Sequence, residues 1–343
     1  MSIKISILLV LIVGFALGLR LYKVWENPPA LSWDEVSIGY NAYSILKTGR
    51  DEHGVFLPVD VFKSYGDYKP PLAIYLTIPS IAVFGLNEFG VRFPSVFFGT
   101  LTVLVTFFLV KELFKKTISL PLLTAALLAI SPWHINISRA GFEANIALFF
   151  VVLGVWLILS SRSHPWRWSI AWLPFIAGMY TFNSTRYFVP LMGIGLLVYC
   201  WKHIIVQKKS FTVGIIIALI ALLPILPHLL SKEARLRFVE VNIFSDQSIV
   251  ERANDRIAFD KHSLISTIFD NRRIGYARSF FTHYFDHFTA DFLFIKGDGN
   301  PKFSTQDVGQ MYILDLPFLL LGIYIMFAYF RPQAWLLSFW LLA

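Results

Sequence analysis

The sequence predicts an all-α polytopic membrane protein, and three observations carry that prediction. Apolar runs of membrane-spanning length recur along all 343 residues. Hydrophobic residues make up 56% of the chain. Only 15% are charged, against about 25% in soluble domains. A helix needs about 20 apolar residues to cross hydrocarbon, and it satisfies its own backbone polar groups there. The net charge of +8 fits cytoplasmic loops, where basic residues collect, and excludes nucleic acid, since no soluble basic domain is present to grip it. The single cysteine, Cys200, allows no internal disulfide and no cysteine-based metal site.

The first span covers residues 5–24. Its basic start and a small-residue site near Ala16 resemble a signal peptide, but the apolar stretch is long and reads as an uncleaved span. Residues 25–71 are polar and punctuated by Pro28, Pro29, Gly49, Gly54, Pro58, Pro70 and Pro71. The stretch 71–85 is short for a span and broken by Pro79. If it stays on one side, Lys4, Lys111, Lys115, Lys116, Arg162, Arg167, Lys202, Lys208, Lys209 and Arg331 all face the cytoplasm, and Glu112 alone of 22 acidic residues joins them. Charge asymmetry therefore predicts an interfacial or re-entrant helix for 71–85.

Further spans are expected near 93–113, 117–133, 144–160, 169–183, 187–201, 211–230, 312–330 and from 333 onward, about nine in all. Residues 1–230 then form a transmembrane catalytic module with outer loops 25–92 and 134–143. Residues 231–310 form an extracytoplasmic loop or lid, and 311–343 hold further spans. The chain stops inside an apolar run, "SFWLLA", and reads as truncated.

Chemistry-bearing residues gather in the outer segments. In "SWDEVSIGYNAYSILKTGR", Ser32 and Glu35 have capping-box spacing, and Thr48-Gly49 marks a helix stop. Val36, Tyr40 and Tyr43 share one face, as suits a helix on the membrane surface. Asp34 falls in the first turn, where the helix dipole favours an ionised carboxylate able to take a proton from a hydroxyl. Its bland alternative is simple dipole stabilisation. Lys69, in "SYGDYKPPLAIY" beside Tyr68, precedes two prolines at an apolar helix start and suits a lipid phosphate or a snorkelling role.

In "SPWHINISRAGFEANIALFF", Arg139 and Glu143 stand at i and i+4 and either pair on a helix or serve the site, as phosphate contact and second carboxylate. His134 neighbours Trp133 at the boundary. Arg186, in the tight turn "TFNSTRYFVP", is another phosphate candidate or an ordinary anchor. His283 and His287 have ligand spacing, yet no metal motif surrounds them. No cofactor is implied, and any need for a divalent metal stays open.

The Trp-Asp-Glu after the first span, the Lys-Pro-Pro element, "NEFGVRFPS", "SPWHINISRAGFEAN" and "GDGNPKFST" together resemble membrane glycosyltransferases of the GT-C type. These use lipid-phosphate-linked sugars, as the family 39 protein O-mannosyltransferases and the aminoarabinose transferases do. The resemblance implies an essential acid or base at Asp34, a donor-phosphate contact at Lys69, and an acidic residue of the second outer loop at Glu143, where many relatives carry aspartate.

The expected site is thus catalytic Asp34, Glu35 and Glu143, with Lys69, Arg139, Arg186, His134 and Tyr68 toward the donor. The expected function is transfer of a monosaccharide from a polyprenyl-phosphate carrier to a protein, lipid or glycan hydroxyl, with inversion, on the extracytoplasmic face of a bacterial plasma membrane. The rival is a transporter or flippase of a lipid or sugar. It would place its ionisable groups near the bilayer midplane, whereas here they avoid the span centres.

Overall fold

The computed structural model describes residues 2–115, 117, 119–231 and 242–343. Lys116, expected on the cytoplasmic side, and residues 232–241 of the expected lid lie outside the described residues. The chain divides into two units, Met1–Leu226 with Leu314–Ala343, and Pro227–Ile313.

The first unit contains α1 (Ile3–Leu21), α2 (Trp33–Thr48), a hairpin of β1 (Phe62–Ser64) and β2 (Asp67–Lys69), and α3 (Leu72–Phe84). It continues with α4 (Glu88–Leu113), α5 (Ser119–Ile130), α6 (Pro132–Arg139), α7 (Glu143–Ser160), α8 (Leu173–Met179), α9 (Thr185–Val206) and α10 (Lys208–Leu222). Asp315–Tyr329 and Arg331–Leu342 complete it.

The all-α polytopic class holds, but nine spans is too many. Among the described residues, five helices are long and apolar enough to cross: α1, α4, α7, α9 and the run Lys208–Leu229. A sixth arises if α5 and α6 form one span, bent by 56° where Pro132 opens the second helix. The expected span at 169–183 fails because α8 is only seven residues long. Trp172 and Phe175 of that stretch, with Trp168 just before it, fill the protein core instead. Asp315–Tyr329 and Arg331–Leu342 have 15 and 12 residues, short of the span requirement, and Pro332 forces the break between them.

The long helix α4 is the hub. Its Val105, Leu109 and Leu113 pack with Val152, Val155, Ile158 and Leu159 of α7, and with Trp168, Phe175, Met192 and Leu196. Its Val103 and Phe107 meet Leu9 and Ala16 of α1, and Ala125 and Ala129 of α5. Its Val91 joins Ile38, Ala42 and Ile45 of α2 with Phe62, Ile74 and Ile81. Arg92 lies near the start of α4 and Glu112 near its end. Twenty residues of helix separate them, about 30 Å, the thickness of the hydrocarbon core. At the far end Glu112 pairs with Lys115 at 2.8 Å and Arg162 at 3.8 Å. Charge thus gathers at two levels one bilayer apart.

Helix α3, with 13 residues, reaches about 20 Å, too short to cross alone. It packs beside α2 and α4, which gives the Lys69 end of the hairpin a fixed backing.

Candidate active site

The site is built around the first turn of α2. Ser32 and Glu35 form the predicted capping box, each side chain accepting from the other's backbone N–H. Gly49 ends the helix in the left-handed region at φ 70°, its N–H donating to Ile45 O, as a Cβ-free residue allows. One face of α2 is buried through Ile38, Ala42 and Ile45, while Val36, Tyr40 and Tyr43 stay exposed. The capping box fixes the helix start, and with it the position of Asp34.

The hairpin was not foreseen from the sequence, although a signal for it exists. Tyr65 and Gly66 form a two-residue turn with φ of 52° and 76°, the geometry of a primed hairpin turn. Register pairs Phe62 with Lys69, Lys63 with Tyr68 and Ser64 with Asp67. Alternation along the strands puts Phe62, Ser64, Asp67 and Lys69 on one face. Phe62, Ser64 and Lys69 of that face are buried, while Lys63 is exposed.

Lys69 is therefore drawn inward, its side chain 4% exposed, and it forms an ion pair with Asp34, whose side chain is 22% exposed. Asp67 stands second, 4.0 Å from the Lys69 Nζ. A lysine this buried needs a carboxylate partner. Sequence reasoning placed Asp34 and Lys69 in one site from separate elements, and the structure joins them.

The turn carrying Arg186 closes on the same hairpin. Asn183 Nδ2 donates to Tyr68 O at 3.4 Å, and Leu72 N donates to Tyr180 O at 2.9 Å. Arg186 Nε donates to Met179 O at 3.3 Å. One terminal guanidinium nitrogen is buried with no hydrogen-bond partner among the described residues. Such a donor is costly to leave unfilled. Burial raises the Tyr180 hydroxyl above its ordinary pKa, opposed by a backbone hydrogen bond and the nearby Arg186 charge.

Beside Lys69, Pro71, Leu72 and Tyr75 line a groove of about 490 Å³ with Val59, Leu173, Ile176, Ala177, Tyr180, Ala221 and Pro224. Its wall is almost wholly apolar. A carboxylate and a buried ammonium thus pair at the hairpin, and a guanidinium with one unfilled donor lies near Tyr180 of the groove wall.

Glu35 faces elsewhere. Its Oε2 accepts from Ser32 N at 2.8 Å, and its Oε1 accepts from Arg92 Nε at 2.8 Å and Gly141 N at 3.0 Å. Arg92, fully buried, also donates to Val24, Pro28 and Ala30 carbonyls at 2.8 Å each. Sequence reasoning passed over Arg92 as part of a motif. A buried charge inside an apolar helix start was the available signal, since such groups are rare unless paired. Two residues beyond Gly141, Glu143 opens α7, so the Glu35 contact sets the turn from which Glu143 emerges.

The remaining predicted residues serve the frame. Arg139 donates to the Leu19, Tyr22, Lys23 and Asn27 carbonyls, closing the end of α1 where the last carbonyls lack helical partners. His134 is buried, with Nδ1 2.7 Å from the Arg20 guanidinium. Arg20 in turn donates to Ala16 O and Ala129 O, bracing the break between α5 and α6. Among the described residues, no group of three or more His, Cys, Asp and Glu is placed to hold a metal ion. The His287 Nδ1 lies 2.8 Å from the His283 carbonyl.

Residues 68–228 match the family model described as dolichyl-phosphate-mannose-protein mannosyltransferase. The match takes in Lys69, His134, Arg139, Glu143 and Arg186 and begins after Asp34 and Glu35. The chain is also 24% identical over 172 residues to "Putative mannosyltransferase YkcB" of Bacillus subtilis (strain 168), across 49% of this chain and 22% of the relative. The aligned region thus spans about a fifth of that relative's length. Together with the multi-pass helical fold, these matches support a likeness of residues 68–228 to GT-C-like, lipid-phosphate-dependent mannosyltransferases.

Proposed function

We propose that this protein transfers a monosaccharide from a polyprenyl-phosphate carrier to an extracytoplasmic hydroxyl, with inversion at the anomeric carbon. The observation that carries the reading is the Asp34–Lys69 ion pair beside the apolar groove lined by Pro71, Leu72 and Tyr75. The groove takes the lipid tail, and the phosphate lies at Lys69 with Arg186 and Tyr68 beside it. The donor phosphate, a diester carrying one negative charge, competes with Asp34 for the Lys69 ammonium, and Asp34 is then released toward the acceptor.

Asp34 removes the proton from the acceptor hydroxyl as its oxygen attacks C1 opposite the phosphate. The C1–O bond to phosphate breaks, and its electron pair leaves with the carrier phosphate. Cations near that oxygen bind more strongly as its charge grows, so they stabilise the transition state more than the ground state. A phosphate leaving group needs little protonation. One base with cations therefore suffices, unlike glycoside hydrolysis, where a second carboxyl acts as acid. Glu143 is assigned to the acceptor side. Glu35, Arg139 and His134 are positioning residues rather than catalytic ones, because their contacts are to the protein frame.

Purified protein in proteoliposomes tests the reading. Polyprenyl-phosphate mannose is the first donor to try, since both matched names specify mannosyl transfer. Time-dependent loss of donor, with sugar appearing on an acceptor hydroxyl, supports it. Solute or lipid movement without sugar transfer would replace it with the transporter.

A further inference from the structure

In the second unit, one helix of a packed pair turns the wrong face inward for a water-soluble fold, while its partner Gln247–Phe259 buries Ile249 and Ala253. In the helix Arg272–Asp286, Ile274, Phe281 and Phe285 recur at helical spacing, and Phe288 follows just beyond its end. These side chains form one apolar face. In water such a face turns toward a neighbouring helix. Here the other face does so. Gly275 abuts Ile249 so closely that an added Cβ would lie 2.8 Å from the Ile249 side chain. Ser279 and Thr282, on the Gly275 side, line a cavity of about 440 Å³ with Arg252 and Arg256 of the helix Gln247–Phe259.

The aromatic face is left outside. Phe280, Phe281, Phe285 and Phe288 are 54%, 55%, 59% and 46% exposed, and no residue of that helix is buried. The rings stack along it, Phe280 on Tyr284 and Phe281 on Phe285. The preceding helix, Leu264–Phe269, adds exposed Leu264, Ile265, Ile268 and Phe269. Arg273 and Arg278 flank the aromatic face on its two sides, by helical spacing; Ile274 and Arg278, at the edge nearer Gly275, also reach the cavity.

The occupant of this face follows from what adjoins the unit and from its chemistry. The chain enters it from the membrane-crossing run Lys208–Leu229 and leaves it into the apolar helix Asp315–Tyr329. The unit is thus flanked by a candidate membrane span on one side and an apolar helix on the other. An aromatic face edged by arginines is the pattern of a helix lying in the plane of the lipid–water interface, rings buried about 5–10 Å deep and cations among the headgroups. We propose that the helix Arg272–Asp286 lies in that interface, with Phe281, Phe285 and Phe288 among the acyl chains and Arg273 and Arg278 at the lipid phosphates. The assignment is independent of the glycosyltransferase reading.

Spin labels placed on a Cys200→Ala background in phosphatidylcholine–phosphatidylglycerol nanodiscs test it. Labels introduced through Phe281→Cys and Phe285→Cys should show an oxygen-to-nickel-chelate accessibility ratio severalfold above that of His283→Cys and Asp286→Cys, whose native side chains are exposed. Equal ratios at all four positions, or low access to both reagents at 281 and 285, would overturn the proposal. The first result means water and the second a protein contact. If the background variant does not purify, benzophenone groups at 281 and 285 in the otherwise native chain give the same decision. Lipid adducts uphold the proposal, and peptide crosslinks defeat it.

Discussion

The Arg92 guanidinium and the Glu35 carboxylate meet at 2.8 Å with both side chains buried, 57 positions apart in sequence. Neither residue faces the groove. Their pairing nonetheless decides where Asp34 points, because Glu35 is the next residue on the same helical turn. Glu35 also ties Gly141, and Arg92 ties Val24, Pro28 and Ala30. The site thus rests on one buried ion pair that gathers the ends of α1, α2, α4 and α6.

Breaking that pair from one side should be expensive. Glu35→Gln or Arg92→Gln is expected to destabilise the protein by about 3–5 kcal/mol, the usual result of leaving a buried charge alone. The double variant should cost less than the sum of the two. Thermal unfolding in one detergent, followed for all three variants, checks this. Additive losses would show that the residues act separately.

Asp34→Asn should abolish sugar transfer. Its cost in stability is larger than for an exposed helix carboxylate, because it strips a buried ammonium of its main partner. Asp67 remains at 4.0 Å and limits the penalty to about 1–2 kcal/mol. Turnover assays and melting curves on the same preparation separate the two effects. Retained turnover would remove Asp34 as the base.

Lys69→Met should raise the KM for the lipid-phosphate donor more than the KM for the acceptor. Lys69→Arg is not expected to restore it, since a planar guanidinium does not fit a slot shaped for a buried ammonium. Initial rates with each substrate varied in turn give the comparison. Equal losses on both would argue against a phosphate contact.

Filling the groove should discriminate by tail length. Ala177→Phe places a ring among Leu72, Tyr75 and Tyr180, and small-to-large changes in packed sites cost about 1–3 kcal/mol. Donors with long polyprenyl tails should lose affinity, while short-tailed analogues should lose little. A uniform loss across tail lengths would separate the groove from the tail.

Legibility differed by the range of the interaction involved. The capping box at Ser32–Glu35 and the stop at Gly49 depend on neighbours within one turn, and the sequence states them directly. Asp34 and Lys69 were assigned to one site, yet Lys69's burial depends on hairpin register, which the Tyr65-Gly66 turn encodes only weakly. Arg139 and His134 were legible as boundary residues but not as frame. Their partners are carbonyls at Leu19 and Tyr22, and the Arg20 side chain, more than 100 positions away. Hydropathy overcounted spans for a related reason: Trp168, Trp172 and Phe175 are as apolar as lipid-facing residues but line the core.

Arg92 also settles what governs the height of the proposed base above the oily layer. Its clasp on the Val24, Pro28 and Ala30 carbonyls makes the segment after α1 a passenger of α4. Stretching or shrinking α1 by a few residues would change how that helix tilts. The Asp34 carboxylate would keep its depth, because its ruler is α4, the longest helix among the described residues.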